Sequence, residues 1–217
     1  MTGSVDIPLL QVWADAMAAL GAAPDDRRVA VLGRDLLARW HETHRDYHGP
    51  GHLAGGLEVL TAFAATPVEV VAWWFHDAVH HNDSPWDEQR SADLARNSLP
   101  GLVAPDHVAE VARLVLLTIN HDPAGDDAAG QRICDADLAV IAADWPTYQR
   151  SLAALRSERT ELNDIEWDTV RINVTGSLLN REWLFHTTRG RTEWEQPARR
   201  NLNAERQALF TPEEPTR

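Results

Sequence analysis

Apolar residues recur at intervals of three and four positions along nearly the whole chain, which is the period of an amphipathic α-helix. No run of alternating β-branched residues is long enough to predict a strand. The pattern therefore predicts an all-α fold. The predicted helices cover residues 6–20, 25–42, 52–65, 67–82, 86–99, 105–120, 135–143, 146–162, 166–187 and 192–210.

The breaks between these helices carry the expected turn chemistry. Pro67 and Pro105, for example, suit the first turn of a helix, where the missing N–H is not needed. The chain has 217 residues, and it contains neither an internal repeat nor a linker-like stretch. We therefore expect one helical domain over residues 1–217, with a core at about 25–160 and C-terminal helices at about 166–210 packed on it.

The charged residues of the chain exclude several classes of function. The formal net charge is −13, and all twenty basic side chains are arginines. Because there is no lysine, a P-loop lysine, a Schiff-base lysine and a pyridoxal site are excluded. An acidic protein is also repelled by polyanions, so we expect no duplex nucleic acid and no membrane as partners.

The cysteine count and the apolar runs bear on the compartment. Cys134 is the only cysteine, so it cannot form an intramolecular disulfide. No leading segment resembles a signal peptide, and no run approaches the roughly 20 apolar residues that a membrane-spanning helix needs. These features predict a cytoplasmic protein.

Metal-ligating residue types lie at several predicted helix ends. His52 opens the third helix, His76 and Asp77 lie near the end of the fourth, and Asp135 and Asp137 start a later one. We expect four of these side chains to meet around one divalent cation, with two imidazole nitrogens and two carboxylate oxygens as ligands. Such ligands accept Mn, Fe, Co, Ni, Mg or Zn, so the identity of the metal stays open.

This ordered series resembles the HD-domain superfamily of metal-dependent phosphohydrolases, and within it a bacterial subgroup of uncharacterised predicted phosphohydrolases. The matching segments, between residues 45 and 205, are RDYHGPGH, FHDAVHHNDSPWDEQRSA, LTINHD, CDADLAVIA, YQRSLAALRSE and EQPARRNLNAE. The resemblance implies an HD-type helical bundle. The metal ligands that it implies are His52, His76, Asp77 and an aspartate of the DAD segment. It favours Asp137, because Ala-Asp is the usual context in that family, with Asp135 as the alternative.

The chain departs from the subgroup at two places. Gly49 stands where the subgroup usually carries an asparagine, and His80 and His81 stand where it carries a single histidine or a tyrosine. These departures affect the expected substrate contacts more than the metal ligands.

The implied activity is hydrolysis of a phosphate ester or anhydride, such as a nucleotide, by water that the metal activates. Asp77 would act as a catalytic ligand, and Glu88 would orient the water or carry a proton. A small phosphorylated substrate is the implied partner, and a homo-oligomer stays open. The candidate substrate-binding residues are Tyr47, His48, His121, Arg45 and Arg156. His121 also suits a second metal.

Three other functions stay open on the sequence. His76 and His80 are four positions apart, which is the spacing of ligands on a zinc-peptidase helix. A di-iron oxygenase site would need His121 and His80 as further ligands. A third hypothesis is a regulatory domain that binds a nucleotide or metal without turnover.

Overall fold

The computed structural model describes residues 6–210. This part of the chain forms α-helices joined by turns and loops, and it contains no β-strand. The predicted all-α fold is confirmed. The helices are α1 (Asp6–Ala19), α2 (Arg27–Trp40), α3 (Pro50–Ala62), α4 (Pro67–Phe75), α5 (Trp86–Ser98), α6 (Pro105–Leu117), α7 (Ala128–Leu138), α8 (Trp145–Glu158), α9 (Asp164–Leu179) and α10 (Glu195–Phe210). Among them, no helix has the length and apolar character needed to cross a bilayer.

The chain divides into two compact units, the first ending at Asp137 and the second beginning at Leu138. The first contains α1 to α7, and the second contains a 3-10 turn (Ala139–Ala142), α8, α9, a π-helical segment (Gly190–Trp194) and α10. That residues 1–217 form one domain stays a prediction.

Tryptophans fill the core of the first unit. Trp13, Trp40, Trp73 and Trp74 are at most 1% exposed. The Trp73 indole packs so closely on α3 that a Cβ atom at Gly56 would lie 1.9 Å from the ring. Its Nε1 also donates a hydrogen bond of 2.9 Å to a backbone carbonyl of α3. Glycine at position 56 therefore allows α3 and α4 to approach closely.

A buried carboxylate joins the first turn of α4 to α7. Glu69 is fully buried, and it completes a capping box by accepting hydrogen bonds from the backbone N–H and hydroxyl of Thr66. Arg132 of α7 pairs with both oxygens of the same carboxylate, at 2.6 and 2.8 Å. The pair therefore sets the position of α7 relative to α4.

The largest differences from the predicted helix ends in the first unit lie at the end of α4 and the start of α7. Helix α4 ends at Phe75 rather than residue 82, because the backbone that follows bonds to side chains of α5 instead of continuing the helix. Helix α7 begins at Ala128 rather than residue 135, after Asp127 accepts the backbone N–H of Gly130. The aspartates of the DAD segment therefore lie in the last turns of a helix and not at its start.

The second unit has its own core. Tyr148, Leu184, Phe185 and Leu202 are each at most 1% exposed. Helix α9 ends at Leu179, short of the predicted residue 187, because the backbone N–H groups of residues 184 and 185 bond to the buried carboxylate of Glu195 on α10. A long-range side-chain contact thus replaces the last predicted turns of α9.

The buried ion pair between Glu69 and Arg132 gives a stability prediction. Replacing Arg132 by alanine leaves a buried carboxylate without its cation, so we expect the free energy of unfolding to fall by about 3 kcal/mol. The measurement is denaturant unfolding followed by circular dichroism.

The matched control is Arg96→Ala, which removes an exposed partner of Asp93, with side chains 45% and 66% exposed. That change should cost at most about 1 kcal/mol. Equal losses in the two variants would contradict a structural role for the buried pair.

Candidate metal centre

His52 is held in the first turn of α3. Gly49 caps the helix in an extended conformation, Pro50 occupies the first helical position, and the N–H of His52 bonds to the Gly49 carbonyl at 3.0 Å. The His52 side chain is only 8% exposed. Its Nε2 lies 3.2 Å from Nε2 of His76. The structure therefore brings together two imidazoles that are 24 positions apart in the sequence.

His76 lies directly after the last residue of α4 and is 1% exposed. Its ring stacks on Trp73, with centroids 3.9 Å apart and planes 22° apart. Its Nδ1 lies 2.8 Å from the backbone oxygen of Trp73. Because a carbonyl can only accept, Nδ1 carries the proton, and in the neutral ring the lone pair of Nε2 points towards His52.

Two carboxylates complete the group. The Oδ2 atom of Asp77 lies 3.1 Å from His76 Nε2 and 3.8 Å from His52 Nε2. The Oδ1 atom of Asp137 lies 3.2 Å from His52 Nε2 and 3.8 Å from His76 Nε2. Ligands about 2.1 Å from a shared cation, at angles of 90 to 110°, are roughly 3.0 to 3.4 Å apart. His52, His76 and Asp137 are thus positioned to hold a metal ion.

The structure also distinguishes the two aspartates of the DAD segment. Asp137 contributes its carboxylate to the metal-binding group, whereas the fully buried Asp135 is not a member of it. Residues two apart on a helix point about 200° away from each other, so both side chains cannot face the same centre. The geometry therefore favours Asp137 as the ligand.

The four side chains are strongly coupled electrostatically. Burial opposes protonation of His76, but the charge and hydrogen bond of Asp77, followed by the charge of Asp137, raise the pKa of His76 to about 9. Burial likewise opposes ionisation of Asp77, yet the neighbouring His76 holds its pKa far below the usual range. Hydrogen bonds from His121 and His52 lower the pKa of Asp137 against the same effect of burial.

This electrostatic pattern fits a divalent cation. Two ionised carboxylates face two imidazoles at a buried point, so a positive charge is needed there, and in the metal-free protein a proton on His76 supplies it. Imidazole nitrogen together with carboxylate oxygen suits borderline divalent metals. The residues present therefore fit the metal that the sequence predicts.

His121 contacts the carboxylate of Asp137 on the side that is turned away from His52. Its Nε2 lies 2.8 Å from Oδ2 of Asp137, while Oδ1 of the same carboxylate faces His52. Such an imidazole orients a metal-binding carboxylate. Contact of His121 with the substrate stays a prediction.

Arg45 holds the loop that carries Asp77. Its side chain is fully buried, and it donates hydrogen bonds to the backbone oxygens of Asp77 at 2.5 Å, Ala78 at 3.3 Å and His48 at 3.5 Å. It also pairs with Glu42. Binding of a phosphate by Arg45 would require the guanidinium to give up these bonds. Its observed contacts hold the loop, and its role in substrate binding stays a prediction.

The other candidate substrate residues fall into two groups. The rings of Tyr47 and His48 border the ring of His52, with centroid distances of 5.1 and 5.9 Å. Arg156 belongs to the second unit, where it donates to the backbone oxygens of Arg159 and residue 162 and to the carboxylate of Asp164. A role for these three residues in substrate binding stays a prediction.

Glu88 lies in the first turn of α5. One of its oxygens accepts the hydroxyl of Ser84 at 2.8 Å. The other oxygen, Oε2, is buried and has no hydrogen-bond partner among residues 6–210. A buried carboxylate oxygen without a donor can still accept a hydrogen bond from a bound water, which is the geometric requirement for a general base.

The sequence reasoning missed two residues that shape the loop after Asp77. The Asp87 carboxylate accepts the backbone N–H groups of His81 at 2.6 Å and Asp83 at 2.9 Å, and the hydroxyl of Ser91 accepts the N–H of Val79 at 3.0 Å. Asp87 and Ser91 are four positions apart and so share a face of α5. This spacing in the sequence could have identified the two residues as a pair on the same face of the helix.

The zinc-peptidase hypothesis is not compatible with this loop. It requires His76 and His80 on one face of a helix, but α4 ends at Phe75 and His80 lies in the irregular segment before α5. The spacing of four positions therefore does not place the two histidines on one face of a helix.

Comparison of the chain with protein-family models, with curated proteins and with solved structures gives no match.

The raised pKa of His76 predicts coupling between metal and proton binding. At neutral pH the metal-free protein carries a proton on His76, which a metal must displace from Nε2. Apparent metal affinity should therefore rise by roughly tenfold per pH unit and level off near pH 9, with about one proton released per ion. Calorimetry in buffers with different heats of protonation measures this release. An affinity that does not change between pH 7 and 8.5 would contradict the prediction.

Proposed function

We propose that the protein is a metal-dependent phosphohydrolase that cleaves an ester or anhydride bond of a small phosphorylated substrate. The observation that carries the proposal is the convergence of His52, His76, Asp77 and Asp137 from three separate segments on one buried point. The resemblance of the same segments to the HD-domain superfamily supplies the reaction class.

The composition of the site supports this chemistry. When bound, a divalent cation lowers the pKa of water to near neutrality and offsets the negative charge of phosphoryl oxygens. The chain holds the ligands rigidly, since His76 is fixed by Trp73 and Asp137 by His121. Rigid positioning of this kind reduces the reorganisation that a reaction requires.

Glu88 is the residue that we assign to proton transfer. Ser84 holds one carboxylate oxygen and leaves Oε2 without a donor among the described residues, so this oxygen can accept a proton from an attacking water. Its neighbours Asp87 and Ser91 bond to the loop that begins at Asp77, so the same helix supports the metal-binding loop.

A di-iron oxygenase is the weaker hypothesis. It requires His121 as a metal ligand, but Nε2 of His121 is occupied by Asp137 at 2.8 Å. In this arrangement His121 orients the carboxylate of Asp137, which is one of the four side chains of the candidate metal centre. Hydrolysis needs no such ligand, so the geometry supports it better.

The proposal predicts what happens when a ligand is removed. Replacing His76 or Asp77 by alanine should reduce metal content and phosphate release to background, because each change deletes a ligand. Metal analysis, circular dichroism and a panel of nucleotides and phosphoesters, with each candidate ion, measure these effects.

The control is His107→Ala, which removes an imidazole from α6 outside the group. It should leave metal content and activity unchanged. A wild-type protein that binds metal but releases no phosphate from any substrate would contradict the hydrolase and favour the regulatory domain.

Replacing Glu88 by glutamine should have a different signature. We expect metal content to stay at the wild-type level, because Glu88 is not in the ligand group. Turnover should fall by roughly a hundredfold or more, which is the usual effect of losing a general base. Loss of metal in this variant would contradict the role assigned to Glu88.

A further inference from the structure

Histidines form a continuous row in the first unit, which we call the imidazole row. The rings follow one another in the order His81, His44, His80, His48, His52 and His76. The chain has ten histidines, and six of them lie in this row. The last two belong to the candidate metal centre. Of the other four, only His48 has a predicted role in the proposed hydrolysis, as a substrate contact.

The shortest distance between ring centroids in the row is that between His48 and His80. Their ring centroids are 4.0 Å apart with planes at 31°, and ring nitrogens of the two residues lie within 4.8 Å of each other. His80 is 7% exposed and His48 is half-buried. Two imidazoles bound to one cation, each at about 2.0 to 2.1 Å, have nitrogens no more than about 4.2 Å apart. Side-chain rotations that bring the two nitrogens within this limit would let both rings bind one ion.

Hydrogen bonds hold the backbone on which both rings are carried. Arg45 bonds to the carbonyl of His48 and to that of Asp77, so one buried guanidinium ties together the two segments that carry the pair. The carbonyl of His80 lies 2.8 Å from Nε2 of His44. The residue after His80 donates its N–H to Asp87. The backbone positions of the pair are thus fixed, which limits the rearrangement that metal binding requires.

Two carboxylates lie near the pair. Asp77 is in the loop that carries His80, and its Oδ2 lies 3.8 Å from Nε2 of His52, whose ring is the neighbour of the His48 ring. The Asp87 carboxylate accepts the backbone N–H of the residue after His80. Carboxylates at these positions would offset part of the charge of a cation beside the pair.

We propose that His48 and His80 are ligands of a second divalent cation, next to the centre formed by His52, His76, Asp77 and Asp137. Two imidazole nitrogens favour an ion of the zinc, nickel, cobalt or copper group over magnesium or calcium, which prefer oxygen. Water completes the coordination of this ion. His44 and His81 continue the row on the exposed side and provide further imidazoles for an entering ion.

The test is the number of metal ions bound per chain. The full-length protein is stripped with a chelator and titrated with Co²⁺, whose visible absorption reports nitrogen coordination, and the metal content of the saturated protein is then measured. We expect two ions per wild-type chain, and one in His48→Ala and in His80→Ala. His107→Ala serves as the control and should keep two.

A wild-type protein that saturates at one ion would overturn the proposal, as would two ions in the His80→Ala variant. Folding is checked by circular dichroism, and His80→Gln repeats the test with a side chain of similar length. The metal content also separates this proposal from the hydrolase. His80→Ala should lose one ion while keeping the ion bound by His76, whereas absence of hydrolysis in the wild type leaves the count of two unchanged.

Discussion

The Nε2 atoms of His52 and His76 face each other at 3.2 Å inside a buried site, and this contact is the constraint on which the rest depends. Two nitrogen lone pairs at that distance repel unless a proton or a cation lies beside them. Two ionised carboxylates, Asp77 and Asp137, make the positive charge necessary. The site is therefore built around a charge that the protein must take from solvent, either as a proton on His76 or as a metal.

The helical core holds this unfavourable arrangement in place. Trp73 stacks on His76 and hydrogen-bonds to α3 beside His52, so one indole orients one imidazole and anchors the helix of the other. The pairing of Glu69 with Arg132 connects α4 to α7, the helix that carries Asp137. The side chains of the candidate metal centre are thus held by packing or hydrogen bonds to residues around it, which is how proteins preorganise metal sites.

Arg45 shows how sequence reasoning and structure can assign the same residue differently. Phosphate recognition in a chain without lysine must use arginine or neutral donors, which made Arg45 a reasonable substrate-binding candidate. In the folded chain its donors bond to the backbone oxygens of Asp77 and Ala78 in the loop after α4 and to that of His48 in the segment before α3. The planar donor fork that suits phosphate also suits carbonyl groups, and only the position of the loop decides between them.

The sequence by itself determined the helical class, because the apolar period of three to four residues is a local property of each segment. It also predicted that His52, His76, Asp77 and one aspartate of the DAD segment would share a site. The end of α4, and with it the position of Asp77, was decided only by tertiary structure, since side chains of α5 bond to the backbone that follows α4. The start of α7 depends instead on a local cap, in which Asp127 accepts the backbone N–H of Gly130. Tertiary structure also decided that Asp137, and not Asp135, faces the two histidines. The two side chains point in opposite directions from one helix, and only the packing of that helix determines which of them faces the histidines.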